Sequence, residues 1–203
     1  MARRKTRVKD KWREKRWITV LAPDSFNNVP LAYIPITDDE NAVGRVVEVT
    51  LYDILKGDQS QHQYKIFFQI NKIQGNNATT IFKKYEYAKE FLRSVVRRGS
   101  SKINFIVDAK TKDGFIFRLK LIILTHRQLN TSRKHALRLI AKDVIDKTIP
   151  QMTIEQFVQA TCYGKINSDI MAAAKKLIRI RHVGFEKVKL VRTAEKEIAL
   201  LQA

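Results

Sequence analysis

Four histidines, one cysteine and one strand-borne carboxylate are where this sequence could do bond-making chemistry. His62, His126, His135 and His182 bring no pair together at ligand spacing, and there is no HExxH. His135 has Arg133 and Lys134 just before it, a hostile setting for a divalent cation. Cys162 is the sole cysteine, so an internal disulfide and a cysteine-based zinc site are both excluded, and a reducing compartment fits. Its apolar helical setting predicts a small buried hydrophobe. Asp108 and Lys110, in VDAK, resemble the acid-x-Lys of some nucleases. A metal there needs a second carboxylate, with Glu48 the candidate, whereas Asp108 reads more simply as a strand-end residue beside a tight turn. No GxxxxGK loop, GxSxG elbow or glycine fingerprint occurs. No catalytic residue, cofactor or metal is expected, and the chain is read as a non-enzyme. A free metal-dependent nuclease using Asp108 is the competing class.

What the sequence has in abundance is positive charge. Lys and Arg number 39 against 20 acids, a net +19. Such an excess repels itself in isolation and calls for a partner that supplies negative charge, phosphate backbone first and an anionic membrane surface second. No apolar run is long enough to span a bilayer. The first 17 residues, MARRKTRVKDKWREKRW, hold nine cations, Arg3, Arg4, Lys5, Arg7, Lys9, Lys11, Arg13, Lys15 and Arg16, and two acids. The stretch lacks the apolar segment of a secretory signal. Asp10 and Glu14, and the absence of Ser, count against a transit peptide. It is read as an arm for a polyanion. KDKWREKRW can turn into a short helix on contact, with Trp12 and Trp17 on one side. The alternative is that both indoles pack on the domain edge.

Two further clusters lie on predicted helices. In YEYAKEFLRSVVRRG, Lys89, Arg93 and Arg97 fall at i, i+4 and i+8, and Arg93, Arg97 and Arg98 have no acid partner nearby in the helix. Complementing the helix dipole accounts for part of this, but the run continues through RRGSSK to Lys102, which favours phosphate. In TSRKHALRLIAK, Arg133 and Lys134 occupy the first turn, the wrong end for the dipole. A phosphate there would meet free N–H groups as well as two cations. Arg127 lies upstream, and Arg138 and Lys142 continue the basic side. Lys175, Lys176, Arg179 and Arg181, and then Lys187, Lys189 and Arg192, are lesser clusters. Charge spread over the whole length suits a protein embedded in folded RNA rather than a major-groove reader with one recognition helix. No RNA-recognition-motif or KH signature appears, and no single residue predicts base stacking.

The elements that must hold these cations follow from periodicity. WITVL is a strand. The proline-rich stretch up to Ala42 reads as an irregular segment wrapped over the core, because Pro supplies no ladder donor. GRVVEVTLYDILKGD gives a strand to about Thr50 and a short helix ending at Gly57. HQYKIFFQINKI and NATTIFKKY alternate around a QGNN turn and predict a hairpin, with Tyr64, Ile66, Phe68 and Ile70 on one face. KINFIVDA and FIFRLKLIIL predict a second around Asp113-Gly114, with Phe117, Leu119 and Leu121 inward and Arg118 and Lys120 outward. Four helices are expected: one ending at Gly99, one capped by Thr131 or Ser132, one opened by a Thr153–Gln156 capping box, and one capped by Ser168. A last strand lies near HVGFEKVKLVR. The fold class is α+β, a mainly antiparallel sheet packed with helices that the two hairpins can curl into a barrel.

In order along nearly the whole chain, KDKWREKRWITVLAP, GRVVEVTLYDI, GNNATTIFK, FLRSVVRRGSSKI, TKDGF, TSRKHALR, FVQATCYGKI and HVGFEKVKLV resemble the small-subunit ribosomal protein S3Ae family, also called S1e, in its archaeal form. The resemblance implies a structural constituent of the small ribosomal subunit, cytoplasmic within the ribosome. It implies binding to small-subunit rRNA on the platform, near the rRNA 3′ end and the mRNA exit. Neighbouring small-subunit proteins are the implied partners, with mRNA close by, no membrane and no self-oligomer. The expected layout is a basic rRNA-binding tail over 1–17, one domain over 18–195 and a short tail over 196–203.

Overall fold

Two hairpins set the frame of the molecule, whose computed structural model describes residues 12–193. The first joins β4 (Tyr64–Gln74) to β5 (Asn77–Tyr87). Its turn needs a left-handed residue, which Gly75 supplies at φ +60°. The second joins β6 (Lys102–Lys110) to β7 (Ile116–Thr125) through Asp113 and Gly114, with Gly114 at φ +90°. Alternation then decides what is buried. Ile66, Phe68 and Ile70 of β4 and Phe117, Leu119 and Leu121 of β7 are all within 1% of full burial. Each such side chain contributes about 1.5–3 kcal/mol of burial free energy.

The other strands attach to these hairpins. β1 (Arg16–Leu21) pairs antiparallel with β2 (Pro30–Ile36) and touches β5 in a short parallel contact at Thr19 and Val20. β3 (Val46–Thr50) adds to β4, and β8 (Ile180–Arg192) lies between β5 and β7. The pairing path is β2-β1-β5-β8-β7-β6, with β4 and then β3 along the other edge of β5.

The sheet does not curl into the barrel expected from the hairpins. Among the described residues no ladder joins its ends. β5 gives one edge to β4 and divides the other between β1 and β8. Beyond β1 lies β2, a poor donor because Pro30 and Pro35 have no N–H. Arg138, on α3 (Thr131–Thr148), reaches β6 and donates from Nε to the Asn104 carbonyl at 3.4 Å.

Several local expectations are corrected. PLAYIPI is a strand, not an irregular wrap. It is an edge strand, the one place in a sheet where missing donors are tolerated. The YEY segment belongs to β5, held by Tyr85 opposite Ile66 and Val188, so α2 is only Lys89–Val95. Val96 is extended, and Gly99 forms a later turn. α1 (Leu51–Leu55) ends on Lys56 in the left-handed region at φ +48°, one residue before Gly57. Asn130 is the N-cap of α3, and its side chain makes no cap bond. α4 (Ile154–Cys162) starts with the expected Thr153–Gln156 capping box. α5 (Lys165–Lys175) is capped by Gly164 at φ +73°, with Ser168 one turn inside.

One apolar cluster runs from Ile18 to Leu190. α4 packs Phe157 on Phe117 with ring centroids 4.8 Å apart, and α3 packs on α5. Cys162 is buried as expected, and burial pushes its thiol up to about 12. α2 closes over Tyr87 and His182 with Phe91, 5.1 and 5.8 Å from their rings. Gly184 is obligatory beneath them, since a Cβ there would collide with the Tyr87 hydroxyl oxygen.

Candidate nucleic-acid interface

The cations divide into two kinds by what surrounds them. On the outward face of the sheet, register places Asp108, Arg118, Lys189, Lys84, Phe67 and Glu48 in one row across six strands. Most charges in this region are already matched. Arg118 donates from Nε and Nη2 to the two Asp108 oxygens at 2.8 and 2.9 Å. Lys84 meets Glu86 at 2.6 Å and lies 4.2 Å from the Phe67 ring centroid. Lys120 meets Glu186 at 2.7 Å, and Lys65 meets Glu48 at 2.7 Å.

This row also disposes of the nuclease reading. Asp108 and Glu48 stand at its opposite ends, five strand spacings apart, a path of about 24 Å along the sheet, and among the described residues no group of carboxylates, His or Cys could hold a metal. They cannot share a metal. Both Asp108 oxygens are engaged, and the Arg118 hydrogen bond holds its carboxyl below the usual range.

The second kind gathers at one corner. There the chain leaving α2 and the chain entering α3 are stitched together by two buried hydroxyls, Ser101 and Thr125. Thr125 Oγ1 accepts from the Ser101 N–H at 3.1 Å and donates to the Arg127 carbonyl at 2.6 Å. Ser101 Oγ accepts from the Leu129 N–H at 2.9 Å. Arg97, Arg98 and Lys102 are thereby brought beside Arg127 and the start of α3, where Arg133 and Lys134 follow the N-cap. The first turn of α3 contains no acid, and the side chain of its N-cap residue, Asn130, makes no cap bond. Backbone donors and cations therefore lie near one another at this end of α3, the combination that favours an anion.

Arg93, Arg97, Arg98, Lys102, Arg127, Arg133 and Lys142 are exposed, and Lys134 and Arg138 are half-buried. Among the described residues none of them has a carboxylate within 4.0 Å. The expected single stripe of Lys89, Arg93 and Arg97 is not formed, because α2 stops at Val95. Arg97 joins the corner through the turn instead, where its carbonyl accepts from Ser100 Oγ at 2.7 Å.

In the arm, Arg3, Arg4, Lys5, Arg7, Lys9 and Lys11 lie outside the described residues. Arg13, Lys15 and Arg16 lie within them. Arg16 is the first residue of β1 and pairs with Asp39, so the contact helix anticipated for KDKWREKRW does not extend to it. Lys15 Nζ stands 3.7 Å from the Trp12 ring centroid. Neither indole packs into the domain edge: Trp12 is 64% and Trp17 61% exposed. What sequence reasoning missed is the stitch itself, since single Ser and Thr residues carry no periodic signal, and the outward aromatic Tyr33.

The Ribosomal S3Ae family matches the chain over residues 3–194. Among curated proteins, the small ribosomal subunit protein eS1 of Desulfurococcus amylolyticus is 44% identical over 184 residues, 91% of this chain and 86% of that protein. Its counterpart in Staphylothermus marinus is 40% identical over 190 residues, 94% and 89% of the two chains. That of Sulfurisphaera tokodaii is 39% identical over 188 residues, 93% and 97%.

Proposed function

The chain belongs to the Ribosomal S3Ae family and is a non-catalytic, rRNA-binding structural constituent of the small ribosomal subunit, and on that premise we propose where it sits and which residues carry the binding. Its place is the platform, near the 3′ end of the small-subunit rRNA and the mRNA exit. Its partners there are rRNA and neighbouring small-subunit proteins, with mRNA close by and no second copy of itself. Residues 1–17 act as the rRNA-binding tail, 18–195 as the folded unit and 196–203 as a short tail.

The observation that supports this choice of residues is the corner of unpaired cations. An ion-paired lysine must break its bond to meet phosphate, whereas Arg93, Arg97, Arg98, Lys102, Arg127, Arg133, Lys134, Arg138 and Lys142 need not exchange a carboxylate. The tail adds Arg3, Arg4, Lys5, Arg7, Lys9, Lys11, Arg13, Lys15 and Arg16. Sedimentation of a cell lysate tests the assignment to the subunit: the protein travels with small subunits, and a protein left at the top of the gradient would refute it. Footprinting of the bound rRNA tests the corner, since charge-removing variants there lift protection from discrete phosphates.

A further inference from the structure

Register across the first two strands sets two large aromatic rings side by side in solvent. Ile18 and Val20 of β1 point into the core and are fully buried, so Trp17 and Thr19 point away from it. Trp17 lies opposite Pro35 and Thr19 opposite Tyr33. Trp17 and Tyr33 are therefore diagonal neighbours on the outer face, about 7 Å apart, within mutual reach of aromatic side chains. Trp17 is 61% exposed and Tyr33 71%. Among the described residues neither ring stacks on another. Trp12, 64% exposed, lies just before the strand with Lys15 over its face.

We propose that this outer face of β1 and β2, built from Trp17 and Tyr33, with Trp12 preceding it in the chain, stacks unpaired bases of single-stranded RNA. The inference rests on the RNA-binding reading above and adds to it a second, chemically different contact. Exposed aromatic rings also mark protein interfaces, but the cores of those patches are depleted of charge. Here the aromatics alternate with cations, in Lys11-Trp12-Arg13-Glu14-Lys15-Arg16-Trp17. Cations that track a backbone between rings that take bases are the composition of a single-strand groove. The nearby acids Asp38, Asp39 and Glu40 work against a polyanion, and Arg16 offsets one of them by pairing with Asp39. The rings carry no base-edge donors fixed by the fold, so the contact is tolerant of sequence.

The chain has only two tryptophans, Trp17 on this face and Trp12 just before the strand, so its indole emission reports this end of the chain. The purified full chain is titrated with an oligouridylate of about a dozen nucleotides and with an RNA duplex of similar length. The single strand quenches the emission, and the duplex binds with little change. Trp17→Ala weakens oligouridylate binding roughly 5- to 150-fold, the loss of one base–aromatic stack, and leaves duplex affinity within about twofold. Trp17→Phe recovers most of the loss, and Tyr33→Ala repeats it independently. Unchanged melting temperatures confirm that the variants are folded. Equal effects of Trp17→Ala on both RNAs, or none on either, overturn the proposal. So does emission that responds to a ribosomal protein fraction and not to oligouridylate, which makes the surface a protein interface. If the duplex binds while the indoles stay silent to the single strand, only this inference fails. If neither RNA binds, the RNA-binding reading fails with it.

Discussion

The hydroxyl of Ser101 accepts the Leu129 N–H at 2.9 Å, tying the start of β6 to the segment that enters α3 across 28 positions of sequence. Through this bond, and those of Thr125 next to it, the chain leaving α2 and the chain entering α3 are held together, and with them the cations proposed above to meet phosphate.

Thr125→Val keeps the shape of the side chain and removes its hydroxyl. The Ser101 N–H loses its partner in a buried setting and the Arg127 carbonyl in a part-buried one. A cost of about 1–3 kcal/mol is expected from urea melts. RNA affinity should fall with it, even though no charge has changed. A variant with unaltered stability and unaltered RNA affinity would show that the stitch is not needed.

Arg97→Gln and Arg98→Gln together remove two cations that have no carboxylate partner among the described residues. The salt slope of RNA binding should drop by about 0.7–0.9 for each phosphate that is no longer neutralised. Arg118→Gln removes a cation that Asp108 already engages. Its effect on the slope should be smaller, and salt-titrated filter binding compares the two.

Removal of residues 2–11 takes away Arg3, Arg4, Lys5, Arg7, Lys9 and Lys11. RNA binding should weaken strongly at low salt and less at high salt. The melting temperature should hold, because the buried cluster begins at Ile18. An unchanged salt slope would leave the arm as a solubilising sequence only.

His182 gives the stability an acid limb. Burial, and then the charge of Arg181, lower its pKa from the ordinary 6.5, while Tyr87 Oη stands 3.4 Å from its Nε2. The unfolded chain therefore takes up this proton at a higher pH than the folded one. The stabilising contribution is complete above about pH 6.5 and is lost as pH falls through the lower folded value. Urea melts between about pH 7.5 and about pH 5 should show the decline, and His182→Phe should flatten it.

The sequence made the two hairpins plain, because Gly75 and Asp113-Gly114 are local turn chemistry flanked by clean alternation. It failed at PLAYIPI, where a local rule about proline met a position at the sheet edge that suspends it. It failed again at Tyr85 and Tyr87, whose helical surroundings were outweighed by partners in β4 and β8, the latter about 100 residues away. The open sheet was illegible for the same reason, since closure depends on which distant strands share β5. Cations at the corner were legible by type. Which cations stay unpaired was not, because Arg118 is matched through strand register and Arg97 is positioned by hydroxyl bonds.

Placement of β8 between β5 and β7 has a consequence for how the molecule is made. Among the described residues, an inner strand of the sheet is the last strand in sequence. Until about residue 192 has left the exit tunnel, β7 presents one edge unpaired along its length, and β5 an unpaired stretch at Lys84–Glu86. The sheet can be completed only by insertion after both neighbours exist, a step dominated by pairings distant in sequence and therefore slow. During that interval the nascent chain carries most of its cations and unpaired strand edges together, a combination prone to adventitious RNA capture and aggregation.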